Sequence, residues 1–292
     1  MTTATADLGQ RNRRRRRNTP YLLLLPGLGF LALFFVLPML FLASNSLQTG
    51  NIYDGYTLTW HWHTYVQVFS DYHQQFLRSF EYAGMATVAA LAIAYPLAYV
   101  IAFKSGRFKN LLLVLVVAPF FVSFLVRTLA WQSILADDGY VADGLRTLHL
   151  LSSGGRLINT PFAVVCGLTY NFLPFMTLPL YASLEKIDIR LISAAADLYA
   201  GPATAFRKVT FPLSLPGVVA GTLLTFIPAA GDFVNVEFLG DPLHQMIGNV
   251  IEKRFLVQTD YPAASALSVL LMAAIIVLVI LYTRRAGTEE IV

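Results

Sequence analysis

Charge is scarce in this chain. Asp, Glu, Lys and Arg make up 13% of 292 residues, against about 25% in soluble domains, which argues against a water-soluble globular enzyme. Cysteine is reduced to Cys166, so no intrachain disulfide forms and no thiolate metal cluster can be assembled. A GxxxxGK[ST] phosphate loop is missing, so the chain is not a nucleotide hydrolase of that type. HExxH and GxSxG are missing too, which removes two common hydrolase chemistries. The histidines, His61, His63, His73, His149 and His244, all lie outside the apolar runs. An intramembrane nucleophile such as Ser123 would therefore have no base at its depth. The expectation is a protein that is not itself an enzyme.

What is abundant is apolar sequence. Hydrophobic residues make up 56% of the chain and mean hydropathy is +0.60. Runs at residues 21–44, 79–103, 111–126, 160–182, 213–230 and 262–282 approach or exceed the ~20 residues that carry a helix across a bilayer. The fold class expected is an all-α integral membrane protein with six transmembrane helices and both termini cytoplasmic. Residues 1–19 form a basic tail, residues 20–285 the membrane domain, and residues 286–292 a short tail. Fifteen of the 21 Lys and Arg residues fall on one side of this arrangement, four lie in the opposite loops, and Arg78 and Arg127 sit at outer span ends. That asymmetry sets the orientation. The six arginines between Arg11 and Arg17 are read as a topology signal rather than a nucleic-acid or anionic-lipid site.

Residues 45–75 contain no Lys or Arg and are placed outside. Trp60 and Trp62 there suit interfacial anchoring, and the two-residue spacing of His61 and His63 fits no zinc motif. Pro119 interrupts the third run. Arg127 and Trp131 mark the outer interface or a polar lining, and Tyr170 and Asn171 stand inside the fourth run. Gly217 and Gly221 form a GxxxG, which permits close helix contact. Residues 245–257 are read as a short surface helix.

The most informative stretch is residues 193–217, polar and proline-broken between two apolar runs. Its alanine-rich start favours a short helix, and Gly201-Pro202 favours a break. Composition alone also permits a plain solvated loop. Ser193, Ala194, Ala195, Asp197, Leu198, Tyr199, Gly201 and Pro212 nevertheless resemble the EAA loop of ABC-importer permease subunits. Ala194-Ala195 match its two alanines, and Val209-Thr210-Phe211-Pro212 match its end. Ser193 stands where that family has glutamate and Tyr199 where it has glycine. Because a bulky residue resists a left-handed backbone, the local chemistry predicts a helix running past Tyr199 and stopping near Gly201-Pro202.

Residues 226–234, Leu239-Gly240 and Met246-Ile247-Gly248 look like the stretch after the EAA loop in spermidine/putrescine importer permeases. Residues 119–131 and 261–268 resemble the same subfamily. The resemblance implies a type I importer architecture in the bacterial inner membrane. It also implies a second permease subunit, two cytoplasmic ATPases that bind ATP and Mg, and an extracytoplasmic solute-binding protein. No cofactor is expected in this chain, and residues 183–212 would be its docking loop. A polyamine would need carboxylates and aromatic faces, for which Asp232, Glu237, Trp131 and Tyr170 are the candidates. Asp232 is expected to face the translocation path near the outer side of the membrane, with a solvated carboxylate at a helix end and a structural ion pair to Arg127 as the alternatives. A permease for a sugar or an anion, and a stand-alone secondary transporter, remain open as rival functions.

Overall fold

The computed structural model describes residues 24–149, 151–152 and 154–285. The basic tail with its arginines and the 286–292 tail lie outside these residues. Five helices are long and apolar enough to cross a membrane. They are α1 (Leu24–Asn45), α2 (His63–Phe103), α6 (Pro161–Glu185), α8 (Pro202–Ala230) and α11 (Tyr261–Arg285). A bent pair, α3 (Gly106–Phe121) and α4 (Phe124–Ile134), whose axes turn by 95°, makes a sixth crossing when the two are counted as one span. The third span is therefore no straight helix. Pro119 sits at the start of a 3-10 turn, Ala118–Phe121, and Val122 and Ser123 are extended, with ψ 139° and 140°.

Two other expectations are corrected, and two short features are added. The second helix starts at His63 rather than at residue 79, and its 41 residues reach about 60 Å at 1.5 Å per residue. That is twice the bilayer core, so about half its length extends beyond the core, and its polar residues gather in the first third. Residues 136–158, between α4 and α6, contain α5 (Tyr140–Thr147). Residues 245–257 form α10 (Ile247–Glu252) and a π turn, Lys253–Val257. Ile247, Gly248, Asn249 and Val250 are buried, so this is no surface helix. The all-helical expectation also meets one antiparallel hairpin, β1 (Gln48–Asn51) and β2 (Gly55–Leu58). Its turn is closed by the Asn51 side chain, which accepts from the Tyr53 and Asp54 N–H groups at 2.9 Å each.

The bundle is built on α2, α6 and α8. One face of α2 carries Ala83, Ala86, Ala90, Ala94 and Ala98, all fully buried. Their spacing of three and four puts them on one helical stripe. Ala90, Ala94 and Ala98 pack with Met176, Leu180 and Leu184 of α6 and Val218 of α8. A β-carbon added at Gly217 would lie 2.7 Å from the Pro179 carbonyl oxygen, and one at Gly221 would lie 3.0 Å from that of Met176. The GxxxG thus seats α8 directly on the α6 backbone. Inside a bilayer such contact is the main source of association, because lipid is as apolar as leucine. The bundle is pinned at its outer end by the Ser79 hydroxyl, which accepts from the Ile247 N–H at 2.8 Å. By contrast, α1 faces outward along its apolar length.

Gly217→Ala is expected to push α8 off α6 and lower stability by about 1–3 kcal/mol, the usual range for overpacking. Gly84→Ala meets nothing within 4 Å and is expected to be neutral or slightly stabilising, since glycine inside a helix costs about 0.5–1 kcal/mol. Thermal unfolding of the two variants in one detergent compares them directly.

Candidate functional site

Three features bear on function: a projecting segment between α6 and α8, a buried polar centre, and an outer cleft. The projecting segment is α7 (Ile189–Asp197) and the turn after it. Asp188 caps α7, its carboxylate accepting from the Arg190 N–H at 2.9 Å. The helix then stops before Tyr199. The Tyr199 N–H donates to Ala196 O at 2.9 Å and the Ala200 N–H to Ala195 O at 3.0 Å. This pair of bonds is a Schellman closure with Tyr199 in the left-handed position, and its φ is 60°. Gly201 has φ −64° and serves as N-cap of α8, with Pro202 at the first turn. The expectation that glycine makes the turn is overturned. The closing bonds need a left-handed residue two positions after Asp197, and Tyr199 occupies it at a cost of about 1–2 kcal/mol. Ser193, Ala194, Asp197 and Leu198 are exposed and Ala195 is half-buried. Pro212 lies inside α8. At the base, Lys109 pairs with Glu185 and lies over the Tyr181 ring at 5.3 Å.

The polar centre joins four segments. The Asn171 Nδ2 of α6 donates to Asn235 Oδ1 at 2.9 Å and to the Thr128 hydroxyl of α4 at 3.3 Å. Asn235, on α9 (Val234–Leu239), donates through its N–H and Nδ2 to Asp232 Oδ1, at 2.8 and 3.2 Å. Thr128, Asn171 and Asn235 are almost wholly enclosed, and Asp232 is 8% exposed. A β-carbon at Gly167 would collide with Leu239 and Asn235, so that glycine is what lets α9 sit against α6. The sequence singled out Asp232 as a candidate carboxylate and Asn171 as an amide within an apolar run, but not Thr128 or Asn235, nor the bonds that join the four. Its members are brought together only by the fold.

The outer cleft, about 540 Å³, is lined by residues that include Arg156, Glu237, Asp241 and Lys253. The Leu243 N–H and the His244 ring hold the Asp241 carboxyl below the usual carboxylate range. Asn249 Nδ2 donates to Glu237 at 3.3 Å and to the Phe233 carbonyl at 3.0 Å. Beside the cleft, Arg254 bridges Asp260 (2.8 Å) and the Tyr72 hydroxyl (2.7 Å). Among the described residues no cluster of three His, Cys, Asp or Glu side chains could hold a metal.

The four candidate path residues are only partly assembled. Trp131 and Tyr170 meet edge to face at 5.5 Å between ring centres. Glu237 faces the outer cleft. Asp232 is buried, not a solvated helix-end carboxylate, and its Oδ1 is held by Asn235. The alternative pairing with Arg127 is not formed among the described residues. Arg127 is 8% exposed and packs over the rings of Phe120 and Phe124, at 5.0 and 5.5 Å.

A bundle of outward-facing apolar helices, with a structured segment projecting from one end, agrees with the comparisons. The family described as binding-protein-dependent transport system inner membrane component matches residues 86–285. The chain belongs to this family. One relative is the spermidine/putrescine transport system permease protein PotB of Haemophilus influenzae, 35% identical over 256 residues that cover 87% of this chain and 90% of the relative. PotB of Escherichia coli is 34% identical over 257 residues, covering 88% and 94%. The fold matches a subunit of a bacterial ABC transporter that imports the acidic polysaccharide alginate. That match has a TM-score of 0.70 at 16% identity and covers 96% of this chain and 99% of that one. This permease is thus a multi-pass transmembrane subunit of an ABC importer in the bacterial inner membrane, and not an enzyme.

Asn235→Leu removes both donors' side-chain support from the polar centre and leaves Asn171 without its best acceptor. Each buried group left unpaired costs about 1–3 kcal/mol, so the thermal midpoint of the purified permease should fall by several degrees. Glu237→Gln, at an exposed position, should leave that midpoint unchanged.

Proposed function

We propose that this permease forms half of the translocation path of a polyamine importer. The observation that carries the reading is the 34–35% identity, over nearly nine-tenths of the chain, to permeases named for spermidine and putrescine. In this reading a second permease subunit completes the path, and two cytoplasmic ATPases bind ATP and Mg. An extracytoplasmic protein delivers the solute to the outer cleft. The two alginate-importer matches at 16% identity support the fold and say nothing of the solute. The chain contributes motion rather than chemistry. Closure of the ATPases displaces α7 and its turn, and the α2–α6–α8 bundle follows as a body, a shift between two states.

A cationic amine needs carboxylates and ring faces on its route. Glu237 at the cleft, Asp232 with its free Oδ2, and the Trp131–Tyr170 pair supply both. Leu191, Ala194 and Leu198 follow one another at three- and four-residue spacing, so they share the helix face offered to the ATPase.

Uptake of labelled spermidine and putrescine by the reconstituted transporter tests the reading. ATP-dependent accumulation of either amine supports it, and transport of a sugar or an anion with no amine uptake refutes it. Ala194→Arg adds bulk and charge at an exposed docking position and should reduce ATPase stimulation and uptake at least ten-fold while the permease still inserts. Asp232→Asn keeps the oxygen that Asn235 binds but loses the charge. Amine uptake should drop several-fold with basal ATP hydrolysis retained.

A further inference from the structure

Tyr199 combines two properties that pull against each other. Its backbone is left-handed, at φ 60°, a conformation a bulky side chain takes only against steric resistance. Its ring is 99% exposed, and among the described residues its hydroxyl has no hydrogen bond and its ring no aromatic neighbour. The turn itself does not call for a ring. Both closing bonds come from backbone N–H groups, and glycine would accept the same geometry without strain. A strained residue whose side chain is unused within its own chain points to a use outside it.

The surroundings indicate what that use is. Leu198, next to it, is 81% exposed, and Ile189 and Leu191 extend the apolar tip. Asp197, Arg207 and Lys208, near it along the chain, are exposed as well. Exposed tyrosine is among the residues enriched at interface hot spots, and charged residues are the usual make-up of the rim. The tip lies beyond the ends of both flanking spans, at the end of the bundle where Lys109 meets Glu185 and α11 finishes in Arg284 and Arg285. Positive charge marks that end as cytoplasmic, so a soluble protein, not lipid, covers it.

We propose that Tyr199 is the anchor by which this permease holds its ATPase, its ring entering an apolar pocket on that subunit. The inference rests on the coupling role given to α7 above and adds the side chain that carries the affinity.

The test uses the whole transporter in lipid nanodiscs, purified through a tag on this chain, with the release of ATPase followed after dilution. Tyr199→Gly should release the ATPase at least ten-fold faster than wild type, although the permease itself unfolds at the same or a higher temperature. Tyr199→Phe should stay within about three-fold. Ala194→Arg serves as the control for docking. If Tyr199→Gly holds the ATPase as well as wild type while Ala194→Arg loses it, the anchor is refuted and docking stands. If both hold it, the docking role fails too. Equal loss with Phe and Gly would place the contact in the hydroxyl and overturn the apolar pocket.

Discussion

Everything in this permease depends on how closely α8 and α2 approach α6. In water a loose helix pair can still be held by the hydrophobic effect. In a bilayer it cannot, and contact distance takes over. The alanine stripe of α2 and the glycines of α8 remove side-chain bulk where backbones meet, and Met176, Leu180 and Leu184 fill what is left. Prolines at 96, 174, 179, 216 and 228 lie within these same helices. They are tolerated because neighbouring helices enclose the weakened turns.

On this tight frame the polar centre is affordable. Burying three amide or hydroxyl side chains and a carboxylate beside lipid would be costly if each stood alone. Linked from Thr128 through Asn171 and Asn235 to Asp232, they offset part of that cost and tie α4, α6 and α9 together, although the Asn171 Oδ1 is left without a partner among the described residues. The same linkage explains why Asp232, a lone carboxylate after an uncharged span in the sequence, is no free acceptor at both oxygens.

Much of this was legible in the sequence, for physical reasons that can be named. The apolar runs located most spans, because an uninterrupted 20-residue stretch has few other uses, and the GxxxG located a close helix contact. The outer third of α2 was not legible. It carries Gln67, Asp71, Gln74, Gln75 and Arg78, and its helical state is supported by Val68 and Phe76 packing on α10 and α11, contacts with residues about 180 positions away. The hairpin did leave a signal, Asp54-Gly55, a dipeptide suited to a tight turn. The turn at Tyr199 was misread because a residue preference was set against a backbone bonding pattern, and the bonding pattern prevailed. The polar centre spans more than a hundred residues of sequence, so no local pattern could reveal it.

The elbow at Val122–Ser123 has a mechanical meaning. Its lower arm, α3, is fastened through Lys109 to Glu185, three residues before the cap of α7. Its upper arm, α4, is fastened through Thr128 to Asn171 and Asn235. A straight rod between those two fastenings would pass a thrust along its own axis. An elbow of 95° works as a bell crank. In the coupling proposed above, a push along α3 would meet α4 nearly at right angles and turn into a sideways sweep rather than a thrust.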